Sequence, residues 1–525
     1  MADSSRYFLT TAIDYPNRRP HIGTALEKLG ADVQARYRRM EGYEVFFLMG
    51  NDENTVKVSK RAAELGLDAK VYCDDMARQF KEVWRALDIS FDDFIQTSEP
   101  RHHAACRQFI QKVYDNGYIY KGSYEGWYCE GCEAFKTDTE VQEAGGVCPD
   151  HKVPPVRRSE PCYFFALSKF QEKLLQFYNE NPDFIQPETR RNEVLNFVQS
   201  GLKDTNITRR GEAWGIRVPF DEDFTIYVWF DALLNYITGV GYGSDEERFK
   251  KWWPADLHVI GKDITRFHCA LWPAMCFAAG IEPPRRVFGH GFVYIKNDET
   301  GDAQKISKSL GNVVDPMELV TKFSAEAFRY YFLRECPFPG DGEFSWKRFE
   351  ELYNADLANN LGNTYSRVVK LVTQHYDGRL EGTAGLEPGV IYTEVDTETT
   401  AKQVQSHIEA CQFNQGLQRI WLQILNPTNK YLDDTAPWKL VKTDKAAAKR
   451  VLYDVAEQLR VTCILLKPFL PRASETVYNS FNFPQPWADV SFEDVWAHPR
   501  QGEDLRVLAA LQDGKVQPLF PRIAG

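Results

Sequence analysis

Residues 7–52 read YFLTTAIDYPNRRPHIGTALEKLGADVQARYRRMEGYEVFFLMGND. Tyr7–Ile13 is an apolar run of strand length. Asp14–Gly23 contains Pro16, Asn17 and Pro20 and reads as a loop. Thr24–Met40 sets Leu26, Leu29, Val33, Tyr37 and Met40 at helical spacing and stops at Gly42. Glu44–Met49 is a second buried strand, ending at Gly50-Asn51-Asp52. Strand, loop, helix and strand in that order make one unit of a parallel sheet. Its ligand sites lie in the loops at the carboxyl ends of the strands.

Working outward, Lys57–Ile110 is mostly helical in pattern, and the texture changes near Gly117. Tyr118–Tyr128 is strand-like, and a cysteine-rich loop runs on to His151. Buried-strand patterns return at Thr225–Trp229 and Leu257–Ile260, which predicts one nucleotide-binding sheet split by an insertion. After a hairpin-like stretch at Val293–Gln304, helical spacing holds from about Phe349 to Leu470, interrupted at Asp377–Thr400. The tail from Gly502 carries little pattern.

The whole chain is consistent with that plan. Its 525 residues exceed what one core organises, so several domains are expected. Hydrophobic residues at 43% and charged residues at 26% exclude disordered and fibrous classes. A net charge of −11 excludes nucleic-acid coating by bulk charge but leaves room for a local groove. No apolar stretch reaches the ~18 residues of a membrane span, and MADSS leads almost directly into the first strand, so no signal peptide is expected. Eleven cysteines, an odd number, speak against a secreted disulfide framework and for the cytoplasm.

Three motifs carry chemistry. Cys129-x-x-Cys132 and Cys148-x-x-His151 can wrap one tetrahedral Zn²⁺; four protein ligands leave no open position, so the ion is expected to be structural. His21-Ile22-Gly23 stands before a helix, where unpaired N–H groups attract phosphate and glycine lets a nucleotide approach the backbone. Lys305-Ile306-Ser307-Lys308-Ser309, followed by Gly311-Asn312, places two lysines three apart in a Ser/Gly loop that can grip a polyphosphate.

With these motifs the chain resembles the class I aminoacyl-tRNA synthetases, the HIGH-type signature reading HIGT and the KMSKS-type signature KISKS. More closely it is similar to the methionyl-tRNA synthetase family. The matching segments are Ala12-Ile13-Asp14-Tyr15-Pro16-Asn17, Gly50-Asn51-Asp52-Glu53, the zinc knuckle, Tyr227-Val228-Trp229-Phe230-Asp231-Ala232, Ile260-Gly261-Lys262-Asp263-Ile264, KISKSLGNVVDP and Ala436-Pro437-Trp438. Two positions depart from the pattern: Thr24 replaces the second signature histidine, and Asn54 stands where the GTDEHG-type segment has its histidine.

The resemblance implies an α/β fold: a Rossmann-type parallel sheet split by a zinc-bearing insertion and followed by an α-helical bundle. Residues 1–116 and 225–300 would form the two halves of the catalytic domain, 117–224 the insertion, 301–353 a stem-contact segment with the KISKS loop, and 354–525 a helical anticodon-binding domain. It implies activation of methionine by ATP, with Mg²⁺, to methionyl-adenylate, then transfer to the terminal adenosine of tRNA(Met). His21, Lys305 and Lys308 are then the catalytic candidates. Gly23, Thr24, Gly261, Asp263, Ser307 and Ser309 would serve ATP, and Arg209 could pair with Asp263. Ala12, Ile13, Tyr15, Asp52, Trp229, Ala232, Leu233, Tyr236, Ile264, His268 and Trp272 would surround methionine, with Asp52 on its ammonium. Asn363, Arg367 and Trp438 would read the anticodon. A monomer without membrane attachment is expected. Competing readings are a smaller nucleotidyltransferase, a synthetase for cysteine or leucine, and a noncatalytic tRNA-binding paralogue.

Overall fold

The computed structural model describes all residues except 1–4, 130–133, 137, 150–151, 307–310, 382–395, 484, 498–503, 510, 513–514 and 524–525. Strand β1 (Arg6–Thr11) lies at the centre of a six-stranded, wholly parallel sheet. On one side of β1 come β2 (Glu44–Asn51) and β3 (Asp93–Gln96). On the other come Leu257–Gly261, Val287–His290 and Ile185–Gln186. Both faces of β1 are covered: Tyr7 and Leu9 join one hydrophobic core and Phe8 the other. Parallel strands read as continuous apolar runs for this reason.

Helix α1 (Ile22–Met40) crosses between β1 and β2 and is buried over most of its length. Three charged residues are buried on it: Glu27, Lys28 and Asp32. Asp32 pairs at 2.7 Å with Arg329, both side chains fully buried, and Arg329 also donates to the carbonyls of Phe469 and Leu87. Burial alone would raise the Asp32 carboxyl, but Arg36 and Arg329 outweigh it and hold it down at about 2. Through Arg329 the helix under the nucleotide loop is tied directly to the helical region.

Two sequence expectations change. Thr225–Trp229 is not a strand of the parallel sheet. Asp221–Ile226 pairs antiparallel with Thr208–Arg210 and Arg217–Val218, and Val228–Ala232 is a helical turn. A five-residue apolar run cannot separate the two environments. The inserted stretch also gives a strand to the main sheet, since Ile185–Gln186 pairs with Val287 and Phe288. The rest of that stretch builds its own antiparallel sheet around the long pair Ile119–Cys129 and Val156–Phe165.

The C-terminal region is helical, including Asn363–Tyr376, Phe413–Ile420 and Lys445–Leu466. The tail returns to it: Tyr353 Oη donates to Pro521 O at 2.8 Å, and Phe520 packs edge-on against the Tyr353 ring. Among the described residues, no helix is long and apolar enough to cross a membrane.

Candidate active site

The loop after β1 is closed by backbone bonds from three directions. Ala12 N–H donates to Val259 O, Asp14 N–H to Gly50 O and Asp52 N–H to Asp14 O, at 2.9–3.1 Å. These bonds gather the carboxyl ends of β1, β2 and Leu257–Gly261 into one cleft. Below it, Lys28 Nζ is buried on Ala12 O (3.0 Å), Asp14 (3.0 Å) and Glu27 (2.6 Å), and Glu27 meets His290 Nε2 at 3.0 Å. Burial pushes the Asp14 carboxyl up to about 6 against the pull of Lys28. Sequence reading missed this floor because Glu-Lys on an amphipathic helix normally marks the solvent face.

His21 caps α1. Its Nδ1 accepts from the Gly23 and Thr24 amides at 3.1 and 3.3 Å, so a proton on the ring belongs on Nε2, which lies 3.4 Å from an Arg18 nitrogen. Burial, with Arg18 adding, lowers the imidazole to about 4, so His21 is neutral at pH 7. Thr24 Oγ1 stands 3.5 Å from the same Nδ1.

The two signatures meet. Ile22 N–H donates to Val314 O at 3.2 Å, and a Cβ on Gly23 would lie 3.0 Å from His21 Cε1 and 3.2 Å from Ile306 Cδ1. A side chain at position 23 would press on both neighbours. Lys305 ends the short strand Ala303–Lys305, with its Nζ 5.0 Å over the Phe292 ring. Lys262 Nζ lies over the same ring at 4.8 Å and pairs with Asp341 at 2.7 Å, which gives that lysine a target the sequence did not reveal. Ser307, Lys308 and Ser309 lie outside the described residues. Gly261 precedes the exposed Asp263, whose Oδ1 would be 2.7 Å from any Cβ on Gly261. Arg209 lies 4.2 Å over the Tyr227 ring and is not ion-paired with Asp263.

On the other side, rings line the cleft. Tyr236 Oη is 2.7 Å from His268 Nε2, and His268 Nδ1 is 3.1 Å from Ile264 O. With Nδ1–H donating to the carbonyl, Nε2 accepts from the phenol, and burial holds His268 neutral at about 4. Trp229 stacks on Phe267 at 3.9 Å, and Tyr15, Trp229 and Tyr227 line a cleft of about 310 Å³ with Lys57 and Arg209. Ala232, Leu233 and Ala12 are buried, and Ile13 and Ile264 half-buried. Trp272 is fully buried, donating to His258 Nε2 at 3.3 Å, and His258 Nδ1 meets Thr10 Oγ1 at 2.7 Å. His258 is a further residue missed, hidden inside an apolar strand. Asp52 is 3% exposed, with one oxygen lacking a hydrogen-bond partner among the described residues.

In the bundle, Asn363 and Arg367 share a face of Asn363–Tyr376, and Arg367 lies 4.3 Å over the half-buried Trp438 while pairing with Asp433 at 2.8 Å. In the insertion, Cys129 and Cys148 are buried, and Cys148 exchanges backbone bonds with Val153 and Lys152 in a tight turn. Cys132 and His151 lie outside the described residues.

A family model described as tRNA synthetases class I (M) matches residues 7–154 and 146–369, and one described as the anticodon binding domain of methionyl tRNA ligase matches 382–514. The chain belongs to the methionyl class I tRNA synthetases. It is 42% identical over 498 residues to the methionine–tRNA ligase of Caldanaerobacter subterraneus subsp. tengcongensis, covering 93% of this chain and 76% of that one. It is also 42% identical to the Thermosynechococcus vestitus ligase, covering 91% and 90%. Mycobacterium tuberculosis methionyl-tRNA synthetase, solved in complex with methionyl-adenylate, superposes with a TM-score of 0.87 at 38% identity, covering 99% of this chain and 100% of that one.

Proposed function

We propose that this synthetase is a methionine–tRNA ligase acting in the cytoplasm: ATP and methionine give methionyl-adenylate and pyrophosphate, and tRNA(Met) accepts the methionyl group. The observation that carries this reading is the meeting of His21, Gly23 and Ile306 above an aromatic cleft, in a chain of this family.

A methionine carboxylate needs no deprotonation to attack the α-phosphorus, so positioning and charge stabilisation supply the catalysis. Neutral His21 offers an Nε2 N–H donor to phosphate oxygens. Arg18 beside it, together with Lys305 and Lys308, supplies the positive charge that Thr24 cannot. Asp263 holds the ribose, with Gly261 letting the nucleotide lie against the strand end. Mg²⁺ brought with ATP would further neutralise the phosphates. The side chain of methionine lies among Tyr15, Trp229, Tyr236, His268 and Trp272, where a polarizable thioether gains ~0.3–1.5 kcal/mol on aromatic edges. Asp52 takes the ammonium.

Three thiolates and one imidazole, Cys129, Cys132, Cys148 and His151, suit structural Zn²⁺, and the burial of the two described cysteines supports the fit. The Arg367–Trp438 stack offers an unstacked base of the anticodon a cationic, aromatic platform, with Asn363 to satisfy its edge. The enzyme works as a monomer. The test is charging of transcripts that differ only in the anticodon: CAU should be methionylated, and a changed first anticodon base should lose kcat/KM by an order of magnitude or more. Equal charging of all anticodons would refute the tRNA reading.

A further inference from the structure

The end of β2 carries more buried polar chemistry than the reaction above uses. Asn51, Asp52, Glu53 and Asn54 follow one another, and all four are buried. Glu53 is committed elsewhere: its carboxylate accepts from Gln96 Nε2 at 3.0 Å and from the Ser98 hydroxyl, and Lys70 faces it. Asn54, the residue that departs from the family pattern, donates to Thr97 O at 3.0 Å and to the Asp231 carboxylate at 2.8 Å. Asp231 is fully buried in the helical turn Val228–Ala232. One oxygen each of Asp52, Asp231 and Asn54 has no hydrogen-bond partner among the described residues. Asp52 feels the charge of Asp231, whose carboxylate is held by Asn54 two residues further along the chain, and the Tyr15 hydroxyl feels both. Two buried carboxylates with unpaired oxygens and no cation between them are costly, and an ammonium is the group that relieves the cost.

We propose that Asp231, positioned by Asn54, is a second counter-charge of the α-ammonium subsite beside Asp52. This rests on the assignment of Asp52 made above. It explains why an amide serves at position 54: it orients one oxygen of Asp231 and leaves the other for the ligand.

A proton linkage follows. Burial first, then the charges of Asp231 and Glu53, push the Asp52 carboxyl well above its usual range, and burial does the same to Asp231. Before methionine binds, both directions favour a proton held on the pair. The other groups facing the pair bring no positive charge at pH 7. Burial raises the phenols of Tyr15 and Tyr236 and the thiol of Cys106, and it lowers His102 to about 3. Lys57 stays outside, 5.9 Å over the Tyr15 ring, and Lys70 pairs with Asp74. The incoming ammonium supplies the missing charge, and the shared proton passes to water; no other bond is made or broken.

The test is calorimetric titration of L-methionine into the full chain at pH 7, in phosphate and in Tris, whose ionisation heats differ. The expected result is net proton release on methionine binding, with Kd improving as pH rises, by up to tenfold per pH unit for each proton released. Asp231→Asn should reduce the release and move its midpoint to lower pH, because Asp52 loses the neighbouring charge but stays buried. Asn54→Ala should keep the release but move its midpoint to higher pH, because a bond favouring the ionised form is gone. 4-(Methylthio)butanoate, which lacks the ammonium, should release no proton. Identical heats in the two buffers with wild-type protein, or full release by Asp231→Asn, would overturn the proposal. Binding of methionine by Asp52→Asn at wild-type affinity would instead show that the underlying assignment of Asp52 is wrong, and the proposal would fall with it.

Discussion

His21 has separate work at its two ring nitrogens, and substitutions can divide it. Nδ1 accepts the Gly23 and Thr24 amides as the cap of α1, while Nε2 is left for phosphate. His21→Ala removes both functions. Loss of a cap costs ~1 kcal/mol, or about fivefold in local opening. Loss of a transition-state donor in a dry site costs about 10²–10³ in rate. His21→Asn keeps a good cap but cannot reach as far as Nε2. Two assays separate these effects: hydrogen exchange of the first-turn amides of α1, and single-turnover adenylate formation. His21→Asn should exchange like wild type yet form adenylate about 10²–10³ slower, and His21→Ala should be altered in both. Because burial and Arg18 hold the ring neutral down to about pH 4, the wild-type rate at saturating methionine should be flat from pH 6 to 8. An imidazolium mechanism would instead accelerate as pH falls through about 6.5. A His21→Asn enzyme at wild-type rate would refute the phosphate role, and unchanged exchange in His21→Ala would refute the cap.

The other expectations are more compact. Lys305→Ala and Lys308→Ala should each slow single-turnover adenylate formation with methionine affinity nearly unchanged; a normal rate with failed methionine binding would contradict their assignment. Tyr236→Phe leaves His268 Nε2 unpaired in a buried site, a penalty of ~1–3 kcal/mol, so methionine kcat/KM should fall about 5–150-fold while the ATP KM holds. Metal analysis should find one zinc per chain, lost or weakened in Cys132→Ala; zinc-free protein of full activity would remove the knuckle. Trp438→Ala should leave pyrophosphate exchange near wild type and reduce tRNA kcat/KM tenfold or more; equal losses in both assays would indicate a folding defect instead.

Legibility followed the physics of each segment. The unit formed by β1, α1 and β2 was readable because strands buried on both faces must be apolar throughout, and its loop advertised itself with Pro16, Asn17 and Pro20. The Ile185–Gln186 strand was not, because a two-residue edge strand has no period. Thr225–Trp229 misled because apolar residues serve a small antiparallel sheet as well as a parallel one. The rings at Tyr236, His268 and Trp272 are candidates that only motif resemblance singles out. His258, Glu27, Lys28 and His290 were missed because their partners come from distant parts of the chain, and only tertiary structure pairs them. Asn54 was visible as a departure, but its use, holding Asp231 from 177 residues away in sequence, was not.

The central claim is tested most directly by ATP–pyrophosphate exchange measured with each of the twenty amino acids in turn. The account predicts exchange with methionine and background rates with leucine, cysteine and the others. Exchange driven by leucine or cysteine in preference to methionine, or no exchange with any amino acid, would contradict it.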